Sequence, residues 1–123
     1  MKLPLEYRWL KANGFNGFVP WLMLDEPGVD GLRAEFKKET GEDFFPFAVR
    51  QDCDDVAGFR VLNGEIQKEV ISTHLTWSSR REYGGFPSTA IFKDMFEWLK
   101  EVVIVDSWDW MSEEELEDIE QGL

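Results

Sequence analysis

The dipeptide Asn63-Gly64 constrains this chain more than any other feature. It lies between Asp55-Val56-Ala57-Gly58-Phe59-Arg60-Val61-Leu62 and a second apolar run that starts at Glu65. Asn-Gly in that setting favours a type I′ turn, whose two central positions need positive φ. Antiparallel strands over 55–62 and from 65 to near Leu75 follow. A preceding strand, Phe44-Phe45-Pro46-Phe47-Ala48-Val49, joins them through the polar turn 51–54, with Pro46 marking an edge or a bulge. The middle of the chain therefore reads as a β-meander.

One face of such a sheet needs helices to cover it. Leu5, Trp9 and Ala12 fall at i, i+4 and i+7, with Tyr7 and Leu10 beside them, before the left-handed stop Asn13-Gly14. This predicts a short amphipathic helix. Val19 to Leu24 reads as a strand with Pro20 near its start. A helix with Asp30 as its cap runs to Thr40, presenting Leu32 and Phe36 on one face, and Gly41 follows its end. Another, capped by Ser88 or Thr89 and reaching Val103, carries the stripe Ile91, Phe92, Met95, Phe96, Leu99, Val102 and Val103. Core packing of that stripe makes Phe96 a buried residue. Last, Ser112-Glu113-Glu114-Glu115 matches a capping box, opening a helix with Leu116 and Ile119 on a thin apolar face. The expected fold class is α+β, a central antiparallel sheet flanked by helices, and 123 residues make one domain.

Charge separates the two ends of the chain. There are 25 acidic against 13 basic residues, a net of −12. Nine of the acids and none of the bases lie between Glu101 and Leu123. Phosphate-backbone binding needs clustered Lys and Arg, so nucleic acid is not an expected partner. A basic protein would be attracted, with faster association at low salt; the plainer reading is that the acidic end serves solubility. No apolar run of roughly 18 residues exists, so no membrane span is expected. The start of the chain lacks an apolar signal core, and a cytoplasmic location is expected.

Catalytic and metal-binding motifs are weak. Cys53 and His74 are the single thiol and the single imidazole. Cys53 sits among Asp52, Asp54 and Asp55, whose charges raise a thiol pKa and do not activate it, and His74 reads as a polar residue at a strand end. One cysteine builds neither a disulfide nor a cysteine-rich zinc site. The acidic turn from Asp52 departs from a calcium loop at Val56, Ala57 and Asn63, where a ligand, a glycine and a glutamate belong. No GxSxG, HExxH, Walker or GxGxxG string occurs. No catalytic residue, metal ligand or cofactor is expected.

Two surface constellations remain as candidate partner-binding sites. The first is the segment from Trp77 to Tyr83, with Trp77, Arg80 and Arg81, residue types enriched at interface hot spots. The second is Asp106-Ser107-Trp108-Asp109-Trp110, where aromatics stand inside the acidic end. There Trp108 and Trp110 either bury together on one strand face, or anchor a partner whose Lys and Arg pair with Asp106 and Asp109.

The strings Leu3-Pro4-Leu5-Glu6-Tyr7-Arg8-Trp9-Leu10 with Asn13-Gly14, Phe44-Phe45-Pro46-Phe47-Ala48, the acidic turn 52–55, and Phe92-Lys93-Asp94-Met95-Phe96-Glu97-Trp98-Leu99 occur here in one order. In that order and spacing the chain resembles the SUKH superfamily, named after yeast cell-wall-synthesis regulators and viral relatives and populated mostly by bacterial immunity proteins. The resemblance implies a SUKH-like α+β domain over 1–105. The acidic extension 106–123, with its short helix, packs on the same domain. It further implies a non-enzymatic binding module that neutralises a toxin, in many members a nuclease, and it supplies no catalytic motif. A regulatory scaffold of the same fold serving a non-toxin partner is the alternative, and a small enzyme the least favoured reading.

Overall fold

Every strand of the sheet runs antiparallel to its neighbour, and the spatial order repeats the order in sequence. The computed structural model describes residues 2–77 and 88–122. The elements are α1 (Leu5–Ala12), β1 (Trp21–Met23), α2 (Asp30–Thr40), β2 (Asp43–Arg50), β3 (Asp55–Leu62), β4 (Glu65–His74), β5 (Ser88–Phe92), α3 (Met95–Trp98), a π-helical turn (Leu99–Val103), α4 (Ile104–Trp110) and α5 (Glu113–Gln121). The α+β class is thus as expected.

The β3–β4 hairpin turns on Asn63 (φ 51°) and Gly64 (φ 78°), both positive as a type I′ turn requires. Leu62 pairs with Glu65 across it. Further along, an irregularity sets Gln67, Lys68 and Glu69 opposite Arg60 alone, so Phe59 faces Val70 and Asp55 faces His74. A second irregularity, between Pro46 and Ala48, relieves β2 of the ladder bond that proline lacks.

The sheet buries both faces. Tyr7, Trp21, Phe47, Phe59, Val70, Met95, Trp98 and Val103 form the core on the side of α1 and α3. On the other side α2 sets Phe36 against Phe44, Val56, Ile71 and Leu75. The Phe36 and Phe44 rings stack at 4.1 Å. Gly58 makes room for them, because a Cβ there would stand 2.5 Å from the Phe44 ring. Each fully buried aromatic stabilises by about 1.5–3 kcal/mol.

Several expectations require correction. Residues 88–92 are a strand, not helix, and the helix begins after Asp94, whose side chain accepts from the Glu97 amide at 2.9 Å. Glu97 in turn accepts from the Lys93 amide. The capping pair Asp94/Glu97 is therefore the true start signal, and Ile91 and Phe92 fit a strand as well as a helical stripe. Phe96 turns outward and is 48 % exposed. In α1 the stripe points the other way: Leu5 and Trp9 face solvent while Tyr7 is buried, with Leu3 and Leu10 packed beside it. Asp30 lies inside the first turn of α2 and Val29 holds the cap position. The strand expected over 19–24 is confined to Trp21–Met23. The helical path runs without a break through residues 105 and 106.

Candidate functional site

Strand register places one end of the sheet at the centre of the candidate residues. Trp21 pairs with Arg50, Asp55 with His74, and His74 with Ser88. The start of β1, the end of β2, the start of β3, the end of β4 and the start of β5 thus share one end. Trp77 lies three residues past β4 and belongs to it, and Asp106 reaches it from α4. Arg80 and Arg81 lie outside the described residues.

Asp106 is a structural anchor, its carboxylate held within the fold. Its Oδ2 accepts from the Trp21 indole at 2.8 Å and from Arg50 at 3.1 Å. Arg50 also donates to Asp52 at 2.7 Å, so one guanidinium ties α4 to the β2–β3 turn. Helical spacing explains the position: Val102, Asp106 and Trp110 follow at four-residue steps on the inward face. Trp110 is accordingly half-buried.

The opposite face of α4 is exposed and apolar. Ile104, Trp108 and Met111 follow at i, i+4 and i+7, with Val105 adjacent. Trp108 is 70 % exposed. Glu101 and Asp109 are exposed on the same stretch, and the acids of α5 continue the negative charge. The Ser112 hydroxyl accepts from the Glu115 amide at 3.0 Å, as the capping box requires. Trp108 and Trp110 therefore do not bury together on a strand: one points out and the other inward. Phe18, Trp110, Met111, Leu116 and Ile119 line a shallow groove of about 160 Å³ where α5 turns back.

Trp77 is 53 % exposed and has φ 55°. Such a left-handed backbone at a bulky residue costs about 1–3 kcal/mol and persists only where its surroundings enforce it. Glu39, itself 4 % exposed, does so from α2. It accepts from the Thr76 amide at 2.9 Å, the Thr76 hydroxyl at 2.7 Å and the Trp77 amide at 3.1 Å. Burial opposes the Glu39 charge, yet hydrogen bonds from Glu35, Thr76 and Trp77 bring its pKa below the ordinary value. The hydrogen bond shared with Glu39 pushes Glu35 up.

The same end of the sheet assembles a group that sequence reasoning left apart. Cys53, Asp55 and His74 bring a thiol, a carboxylate and an imidazole within 4.8 Å of one another. His74 Nδ1 lies 2.6 Å from Asp55 Oδ1. Burial first, then the neighbouring carboxylates, push the Cys53 thiol up, which weakens it as a nucleophile. The missed signal is the β3–β4 irregularity. Counted back from the Asn63-Gly64 turn with unbroken pairing, Asp55 falls opposite Ser72.

No protein-family model, curated protein or solved structure matches this chain. Among the described residues, no helix is long and apolar enough to cross a membrane.

Proposed function

We propose that this chain is a non-enzymatic protein-binding module of the immunity type, which blocks a basic toxin such as a nuclease. The observation that carries the reading is the outward face of α4, where Ile104, Trp108 and Met111 stand exposed beside Glu101 and Asp109. An aromatic anchor surrounded by like charges suits a partner with an apolar pocket rimmed by Lys and Arg. Against a nuclease, the carboxylates occupy sites that otherwise hold phosphates. The Asp106 bonds to Trp21 and Arg50 fix this helix to the sheet, so little ordering is lost on binding. The resemblance to the SUKH superfamily supports the same reading.

The test is co-expression with the product of the neighbouring gene, which this reading expects to be a basic toxin. Cells carrying the toxin grow when this chain is present and stop growing when Trp108→Ala and Asp109→Lys are combined. Growth arrest in both cases, with the wild-type protein expressed and folded, contradicts the reading.

A further inference from the structure

We infer that Cys53, Asp55 and His74 form a zinc site at the β2–β3 turn. The three side chains present one sulfur, one oxygen and one nitrogen donor within 4.8 Å of one another. Tetrahedral zinc holds such donors at about 2.0–2.3 Å, which places them about 3.3–3.8 Å apart. Cys53 is exposed in a turn, so its side chain is able to close the remaining gap. Asp55 and His74 are fixed opposite each other by the strand register, and their 2.6 Å hydrogen bond opens by about 1 Å as the ion takes the place of the shared proton.

The donor set selects the metal. Thiolate and imidazole are poor ligands for calcium and magnesium, and a mixed S, N, O set with a tetrahedral preference is a zinc set. The surrounding carboxylates act in opposite senses on the two candidate chemistries. Asp55 and Asp52 disfavour a free thiolate at Cys53 but attract a divalent cation. Binding forms the zinc–sulfur bond and releases the thiol proton to water, with no redox change. Asp55 and His74 also line a hollow of about 180 Å³ with Ser72, Thr73 and Ala90, which leaves room for a water as fourth ligand.

His74 is the single histidine of the chain, so its imidazole protons give an unambiguous NMR signal. Titrating the full chain with zinc chloride shifts these signals and saturates at one equivalent. Cobalt(II) produces a thiolate-to-metal charge-transfer absorption that zinc abolishes. Cys53→Ser lowers zinc affinity at least tenfold, and Asp55→Asn does so without removing the cobalt–thiolate absorption. Imidazole signals that do not move with zinc overturn the site without any variant, and an unchanged affinity in Cys53→Ser overturns it as well.

Discussion

The Trp21 indole donates to Asp106 across 85 residues of sequence. Trp21 is 1 % exposed, and its ring meets Trp98 edge-on at 5.3 Å. The carboxylate therefore satisfies a buried donor and faces Arg50 at the same time. Removing the acceptor leaves an orphaned N–H, which costs about 1–3 kcal/mol. Asp106→Ala is expected to destabilise by that amount, and Asp106→Asn by less because an oxygen remains for the indole. Urea unfolding followed by tryptophan fluorescence measures both.

Phe96 and Trp98 lie two residues apart and on opposite sides of α3. Phe96 is half exposed, while Trp98 is buried among Trp21 and Phe47. Phe96→Ala is expected to cost less than about 1 kcal/mol, and Trp98→Ala about 3–5 kcal/mol. Equal losses would show that the helix faces are assigned wrongly.

The Tyr7 hydroxyl is buried with no hydrogen-bond partner among the described residues, and burial raises its pKa. The ring contributes through edge contacts with Phe47 and Phe59. Tyr7→Phe keeps those contacts and removes a desolvated polar group. It is expected to stabilise by about 1 kcal/mol in denaturant unfolding.

Arg33 grips Asp43 with two bonds of 2.8 Å. The guanidinium lowers the Asp43 pKa, chiefly through those hydrogen bonds. A carboxylate whose pKa is lower folded than unfolded stabilises fully above its ordinary value of about 3.9, and that contribution disappears as pH falls through the lowered one. Asp43→Asn is expected to be less stable at neutral pH and to lose less stability between about pH 5 and pH 2. Urea midpoints measured across that range test the difference.

What the sequence revealed follows from how local each signal is. Asn63-Gly64, Gly41 and Ser112 act on their own neighbours, and the turn, the helix end and the cap they predict are all present. Ile91, Phe92 and Phe96 failed because apolar spacing alone reads equally as a strand followed by a helix. Asp94 with Glu97 carried the deciding cap. Asp106 sits among acids that suggested an outward surface, while the four-residue steps from Val102 turn it inward onto Trp21. The Cys53, Asp55 and His74 group depends on a register irregularity near Arg60, which no local pattern in β4 announces.

Binding of a basic protein to the outward face of α4 is best measured by calorimetric titration of the purified neighbouring gene product into this chain at rising salt. One-to-one binding is expected, weakening at least about tenfold between about 0.05 and 0.5 M salt. Trp108→Ala is expected to lose a further factor of about thirty (~2 kcal/mol), with the fold intact. Binding that ignores both salt and Trp108, or no binding at all, contradicts the proposed function.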